Sequence, residues 1–216
     1  MKKIHFSLLL NVILIAVITY LVIDINSCKM PETSQTYLEE TFYCDFNDTE
    51  FSELNFKGDT DTQTALNIFH YVRDSIPMWA LDLNTKASDV HKAGHGACWS
   101  KAVLMTALLR KHEIPARVVK SALDPEAIRP VVGDGVETTP YPFYHCFVQV
   151  QLEGKWIYAD PTIDIKCWDY FFSDVDVQYG IDWDGKTDQL LYVGYILEPI
   201  AVVDIDLEYG TSIGND

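Results

Sequence analysis

The sequence predicts an α+β domain in which helices pack on an antiparallel sheet. Apolar residues recur at intervals of three and four in residues 61–74 and 98–112, which is the periodicity of helices with a buried face. Residues 143–152 instead alternate between apolar and polar side chains, as a strand does. Because the helical stretches precede the strand-like ones, we expect helices and strands to form separate layers.

An N-terminal transmembrane helix is predicted to precede this domain. Lys2 and Lys3 stand before a run, residues 6–23, that contains no charged side chain. As a helix this run would be roughly 27 Å long, close to the thickness of the hydrocarbon core of a bilayer. The basic residues before the run and the mostly acidic ones after it predict a single-pass signal anchor with the N-terminus in the cytoplasm and the domain outside.

Alternatives to an uncleaved anchor remain for this segment. Residues 25–28 resemble a bacterial lipobox, at which Cys28 would be lipidated after cleavage, but Asp24 intrudes on the pattern. A buried core helix fits the terminal position and the all-round apolarity less well. A freely secreted protein is not favoured, because no small-x-small cleavage site follows the run.

Length and charge limit the classes of function. The 216 residues carry a formal net charge of -16, with 48% hydrophobic and 22% charged residues. This is the balance of a folded protein. A surface this acidic repels phosphate backbones, so we expect no nucleic-acid partner and favour cationic peptides or basic surfaces.

The chain divides into four predicted parts. They are the anchor in residues 1–25, an acidic stalk and lead-in in residues 26–60, a core in residues 61–165 and a C-terminal extension in residues 166–216. The length allows one domain with a sizeable core and a small extension, and two full domains would be crowded.

Three helices are predicted in the first half of the core, at residues 61–74, 86–93 and 98–112. Thr60 or Asp61 would cap the first helix, and Gly94 would stop the second. Pro115 follows the third helix. That helix is apolar over most of its circumference, so we expect it to be buried.

Strands are predicted from residue 116 onward, at residues 116–121, 143–152, 155–159 and 190–197, with a loop at residues 124–142. Glu153 and Gly154 would form the tight turn of a hairpin between the second and third strands. The alternation in residues 143–152 assigns His145 to the more polar face of its strand, which we expect to be the less sealed one.

A cysteine at the start of a buried helix is a candidate nucleophile. Cys98 occupies this position, where unpaired backbone N–H groups and the helix dipole stabilise a thiolate and lower the pKa of the thiol. Gly94 and Gly96 precede it and would let the backbone turn sharply, leaving room for a substrate beside the sulfur.

The thiolate needs a proton partner, and His145 is the candidate from the facing strand. Asp160 follows the returning strand of the hairpin, so the turn at Gly154 would bring its carboxylate close to the histidine. A carboxylate there would fix the ring tautomer and stabilise the imidazolium. The sequence therefore predicts a triad of Cys98, His145 and Asp160.

The remaining cysteines are assigned structural roles. Cys146 lies beside the histidine but points to the opposite face of its strand, so we expect a packed thiol or a disulfide with Cys167. The sequence contains no C-x-x-C spacing, which argues against a structural zinc site or a dithiol redox centre. We predict neither a metal nor a cofactor.

Four stretches resemble the transglutaminase-like superfamily, over roughly half of the chain. Residues 96–102 (GACWSKA) and 108–117 (LLRKHEIPAR) are similar to the nucleophile helix and the strand that follows it. Residues 145–148 (HCFV) and 155–162 (KWIYADPT) are similar to the histidine and aspartate strands, in the same order. The nucleophile helix with its following strand, the histidine strand and the aspartate strand are three ordered motifs, which together are far more specific than any one alone.

The resemblance implies a papain-like core with Cys98 as nucleophile, His145 as general base and acid, and Asp160 as its orienting residue. It implies acyl transfer on peptide or protein amides, and we favour hydrolysis because the chain lacks the extra domains of animal crosslinking enzymes. Crosslinking at glutamine is the first alternative, and an inactive module that binds peptides or cell-wall material is the second.

Three departures from the family pattern concern the surroundings of the triad. Glu113 stands where the family usually has glycine, and Phe147 where tryptophan is common. Trp99 resembles the animal crosslinking members and is a candidate for controlling substrate access.

The backbone N–H of Cys98 is expected to stabilise the oxyanion. Trp79 is a candidate second donor through its indole N–H, with a core tryptophan as the alternative.

Overall fold

The computed structural model describes residues 37–80, 85–172 and 181–203. The predicted transmembrane helix, the lipobox alternative at Cys28 and the first part of the acidic lead-in lie outside these residues. Within the three described ranges, no helix has both the length and the apolarity needed to cross a membrane.

Three helices precede the first strand of the described chain, and the strands form one antiparallel sheet, which confirms the predicted α+β class. The α-helices of the described residues are α1 (Asp61–His70), α2 (Ala87–Ala93), α3 (Cys98–Lys111), α4 (Arg129–Val132) and α5 (Ile165–Phe171). The strands are β1 (Ala116–Leu123), β2 (Phe143–Leu152), β3 (Lys155–Ala159) and β4 (Ala201–Val202). A π-helical turn, Tyr71–Ser75, continues α1.

The helix ends follow from the local sequence. Thr60 is the N-cap of α1, and its hydroxyl accepts the N–H of Gln63 at 3.1 Å. Helix α2 ends at Gly94, whose φ of 68° lies in the left-handed region that glycine adopts without strain. Glu113 follows α3 with a φ of 61°. The glycine that the family usually has at this position is therefore explained by the backbone conformation.

The four strands form one antiparallel sheet in the order β3-β2-β1-β4. Glu153 and Gly154 join β2 to β3 with φ values of 50° and 77°. Two positive φ angles match a type I′ turn, whose twist suits adjacent antiparallel strands. The predicted hairpin is confirmed.

The main core lies between the helices and one face of the sheet. Helix α3 is buried from Trp99 to Arg110, as its all-round apolarity predicts. It packs with Cys146, Val148 and Val150 from the apolar face of β2. The helix that begins at Cys98 is thus held rigidly against the strand that carries His145.

The other face of the sheet is covered as well, contrary to the expectation for His145. A second cluster contains Leu123, Ile163, Leu191 and Tyr192, and the segment around residues 190–196 lies over this face. His145 is 3% exposed as a result. The alternation in β2 could not reveal this cover, because the covering residues come from a distant part of the chain.

Two predicted segments differ from the structure. Residues 190–197 do not form a regular strand: they contain a 3₁₀ turn, Val193–Tyr195, and one isolated bridge between Ile196 and Leu123. Their apolar side chains cover the sheet face, so burial did not require strand pairing. The predicted loop, residues 124–142, contains short helical turns that include α4.

Candidate functional site

Cys98 is the first residue of α3 and is partly exposed. Ser100 caps the start of the helix, because its hydroxyl accepts the N–H of Ala97 at 2.8 Å. A β-carbon on Gly96 would stand 2.6 Å from this same hydroxyl oxygen. Glycine is therefore required at position 96 by the helix cap, not by a positive φ.

A short parallel pairing lies beside the start of α3. The N–H of Gly96 donates to the carbonyl of Pro77 at 3.1 Å, and the N–H of Trp79 donates to the carbonyl of Gly96 at 3.0 Å. Asp164 accepts the N–H of Met78 at 2.9 Å on the other side. Residues 77–79 are thus fixed between the cysteine loop and the N-terminus of α5.

His145 and Asp160 come from neighbouring strands. The pairing of Val148 with Ala159 places Asp160 diagonally across from His145, at a separation that long side chains bridge. Nε2 of His145 lies 2.6 Å from Oδ2 of Asp160. The other ring nitrogen remains available to the Cys98 thiol, and His145 lies close enough to Cys98 to lower the pKa of this thiol.

The electrostatics of the three groups favour a thiolate and an imidazolium. Burial opposes the charged form of His145, but the carboxylate of Asp160 and the interaction with Cys98 outweigh it and raise its pKa to about 10. Burial also raises the pKa of the Cys98 thiol. The hydrogen bond and charge of His145, with the backbone N–H of Cys146, more than compensate and lower that pKa.

Asp160 is itself held in place by hydrogen bonds. Its own N–H donates to Oε1 of Gln189 at 2.7 Å, and Oδ1 accepts the N–H of Thr162 at 3.1 Å. Thr162 in turn accepts a hydrogen bond at its carbonyl from Lys101 at 3.0 Å. The carboxylate therefore presents its second oxygen to His145 in a fixed direction.

Aromatic rings cover the imidazole. Phe147 stacks on His145 with a centroid distance of 5.7 Å, and Tyr192 meets it edge-on at 5.0 Å. Tyr192 is buried, and burial, followed by the nearby Asp160 and Cys98, raises the pKa of its hydroxyl well above the usual value. The imidazole is thus enclosed by apolar surface, which strengthens its interaction with the carboxylate.

The two tryptophan candidates lie in opposite environments. Trp79 is 71% exposed, so the alternative of a core tryptophan is wrong. Trp99 is only 2% exposed and belongs to the main core, which corrects its assignment as a residue at the substrate surface.

The predicted disulfide between Cys146 and Cys167 is not formed. Cys146 packs in the main core, whereas Cys167 lies against the second cluster on the other side of the sheet. The alternative prediction of a packed Cys146 thiol is confirmed. Burial and the nearby Asp164 raise the pKa of the Cys167 thiol to about 11, so this thiol stays protonated near neutral pH.

Sequence reasoning missed the residues that support the site. Lys101 offered a signal, since it is a charged residue in the mostly apolar first half of the helix, three positions after the cysteine. Gln189 and Tyr192 offered none, because they occupy an irregular segment with no spacing that relates them to the triad. No cluster of three or more His, Cys, Asp or Glu side chains in the described ranges is arranged to hold a metal ion.

Comparison with known families gives one match. The model of the Transglutaminase-like superfamily matches residues 52–161, which include the nucleophile helix, the histidine strand and the aspartate. A search of curated proteins finds no match.

Solved structures align with parts of this chain. A candidate cysteine protease from Cytophaga hutchinsonii aligns with a TM-score of 0.48 and 19% identity, over 63% of this chain and 44% of that protein. Red sea bream transglutaminase aligns with a TM-score of 0.36 and 14% identity, over 48% and 22%. A candidate protease from Parabacteroides distasonis aligns with a TM-score of 0.40 and 14% identity, over 58% and 24%. The chain thus spans less than half of each of these proteins.

Proposed function

This chain belongs to the transglutaminase-like superfamily, and we propose that it is a thiol enzyme that hydrolyses amide bonds in peptides or proteins. The observation that carries the proposal is that His145 forms a hydrogen bond with Asp160 and lies close enough to Cys98 to lower the pKa of its thiol. Members of this superfamily are generally cysteine-dependent enzymes, which supports the same reading.

In the first step the Cys98 thiolate attacks the carbonyl carbon of the amide. The carbonyl electrons move to oxygen, and the new C–S bond gives a tetrahedral intermediate. His145, protonated in the ion pair, gives its proton to the leaving nitrogen as the C–N bond breaks. A free amine departs, and a thioester remains on Cys98.

The negatively charged oxygen of the tetrahedral intermediate is stabilised by hydrogen-bond donors. As the first residue of α3, Cys98 has a backbone N–H that is not used within the helix and lies at the positive end of the helix dipole. Trp79 is the proposed second donor through its indole N–H. Its backbone pairs with Gly96, two residues before the sulfur, and its ring is exposed.

In the second step water attacks the thioester. His145 accepts a proton from the water, the C–S bond breaks, and a carboxylic acid is released as the thiolate and imidazolium are restored. We propose water as the acceptor, because hydrolysis then requires no group beyond those that perform the first step. An amine in place of water would give transfer and hence crosslinking.

The test offers both acceptors at once. The full-length chain is incubated with a mixture of basic peptides, some of which contain glutamine, together with a labelled primary amine, and the products are identified by mass spectrometry. New peptide termini or free acids without label would support hydrolysis. Incorporation of the amine at glutamine would support the crosslinking alternative.

Matched cysteine variants show whether any product depends on the proposed nucleophile. Cys98→Ala should abolish turnover, whereas Cys146→Ala should retain it, because the Cys146 side chain packs in the core. Equal activity of wild type and Cys98→Ala would refute the proposed function. An inactive wild type whose Cys98 reacts no faster than an ordinary thiol would favour the binding-module alternative.

We also propose that the protein is attached to a membrane through its N-terminal segment, with the catalytic domain outside the cytoplasm. The support is the uncharged run at residues 6–23 and its flanking charges. Deletion of residues 1–25 should move the protein from the membrane fraction to the soluble fraction. Loss of attachment in Cys28→Ala would instead favour the lipoprotein alternative.

A further inference from the structure

Lys101 is fully buried in α3, one turn after the proposed nucleophile. Its exposed fraction is 0%, and its Nζ donates to the carbonyls of Arg73 and Thr162, each at 3.0 Å. Lysine is almost never fully buried unless its charge is compensated. Burial of a lysine costs free energy, and the proposed mechanism does not use Lys101 directly. Its presence at this position therefore calls for another explanation.

The contacts of Lys101 lead to the carboxylate of the triad. The carbonyl of Thr162 accepts from Lys101, and the N–H of Thr162 donates to Oδ1 of Asp160 at 3.1 Å. Oδ2 of Asp160 then binds His145. The helix that carries Cys98 is therefore connected to the carboxylate by hydrogen bonds that do not pass through the imidazole.

We infer that Lys101 is a positioning residue that fixes the loop after β3, and with it the Asp160 carboxylate, relative to the helix that carries Cys98. The inference rests on the proposed function. Two backbone carbonyls converge on one ammonium group, so an apolar residue of similar size would leave both without this donor. The loop would then be free to shift, and the carboxylate would orient the imidazole less well.

The positive charge of the Lys101 ammonium group also acts on the triad. Burial lowers the pKa of Lys101 to about 7, although Asp164, Asp160, Asp74 and Cys167 all act to raise it. These groups come from the π-helical turn, the loop after β3 and α5, which surround the Nζ atom. Among them, Asp160 is a member of the triad, so the protonated lysine and the imidazolium both interact with one carboxylate.

The experiment measures how fast iodoacetamide alkylates Cys98 in the full-length chain between pH 5 and 9, by mass spectrometry of the peptide that carries this residue. Lys101→Met is compared with Arg110→Met. Arg110 is a buried cation of the same helix that also donates to two backbone carbonyls, those of Ala116 and Glu39, each at 2.9 Å. It lies nine residues further along the helix, roughly 13 Å away.

In the wild type we expect fast alkylation to persist well below the pH at which an ordinary thiol becomes reactive. Lys101→Met should move the profile upward by about one pH unit or more, so that the rate at pH 6 falls about tenfold. Arg110→Met should leave the pH profile in place, even if it lowers the folded fraction. A purely structural role of Lys101 would likewise change the folded fraction without moving the profile.

A second variant keeps the test decisive if Lys101→Met does not fold. Lys101→Gln keeps N–H donors on a shorter, uncharged side chain, and its profile should shift in the same direction. A Lys101 variant whose profile superimposes on that of the wild type would overturn the inference. If the wild-type Cys98 itself reacts as an ordinary thiol, the proposed function fails, so the two failures are distinguishable.

Discussion

Nε2 of His145 lies 2.6 Å from Oδ2 of Asp160, and the two residues are 3% and 2% exposed. A charge-assisted hydrogen bond of this length, shielded from water, is among the stronger polar interactions in a protein. It explains why His145 has a pKa of about 10 despite burial that favours the neutral ring. The site is therefore arranged to hold an imidazolium next to the sulfur.

The first prediction removes the negative charge of this pair. Asp160→Asn keeps the shape of the side chain and an oxygen that can accept the N–H of Thr162. It cannot stabilise an imidazolium, and its amide favours the wrong ring tautomer. We expect kcat to fall by roughly 10²- to 10⁴-fold, as in related triads.

The control for this prediction is a check that the Asp160→Asn variant still folds. Circular dichroism and the unfolding transition of Asp160→Asn should show a folded domain, so that the loss of kcat reflects chemistry. The alkylation of Cys98 should then require a higher pH than in the wild type, because the imidazolium no longer stabilises the thiolate. A fully active Asp160→Asn variant would contradict the role assigned to the carboxylate.

A second prediction concerns Glu113, the residue in the left-handed region after α3. Its φ of 61° is unfavourable for a residue with a β-carbon, whereas glycine adopts it readily. Glu113→Gly should therefore stabilise the domain by roughly 0.5–1 kcal/mol, measured by urea denaturation. Glu113→Ala removes the charge but keeps the β-carbon, so it should give no comparable gain; equal stabilisation by both variants would point to charge.

A third prediction separates the indole N–H of Trp79 from its ring. Trp79→Phe retains an aromatic surface but loses the donor, and the high exposure of the side chain makes a large effect on folding unexpected. If the indole stabilises the oxyanion, kcat should fall by roughly 10²- to 10³-fold with little change in KM. A rise in KM at constant kcat would instead assign Trp79 to the binding of the substrate.

The order of elements and the hairpin could be predicted because they depend on local patterns. The starts of α1 and α3, the left-handed Gly94 and the turn at Gly154 follow from neighbouring residues. The proximity of His145 and Asp160 followed from the hairpin in the same way. These features need only a short stretch of chain to be specified.

The surroundings of the site could not be predicted in this way. The burial of His145 depends on Tyr192, some fifty residues later in the chain, and the backbone of the exposed Trp79 pairs with Gly96. The apolar residues of the 190–197 segment resembled a strand, because an irregular segment that covers a sheet face needs apolar side chains just as a buried strand does. Long-range packing decided each of these outcomes.

The last prediction follows from the opposite pKa shifts of His145 and Lys101. The pKa of His145 is raised to about 10 from 6.5, so its stabilising contribution is complete below pH 6.5 and is lost as the pH rises through 10. The pKa of Lys101 is lowered to about 7 from 10.5, so the cost of burying its charge is complete below pH 7 and is relieved as the pH rises toward 10.5. Between pH 7 and 10 the two contributions oppose each other in the wild type.

Lys101→Met removes the contribution of Lys101 to stability, which rises with pH, and leaves that of His145. The free energy of unfolding of this variant should therefore fall relative to that of the wild type as the pH increases from 7 to 10. The difference should grow by up to about 1.4 kcal/mol per pH unit, the limit for one proton. Urea denaturation at each pH measures it, with Arg110→Met as the reference for loss of a buried cation on the same helix. A wild-type minus Lys101→Met difference that stays constant over this range would show that the buried ammonium does not titrate there.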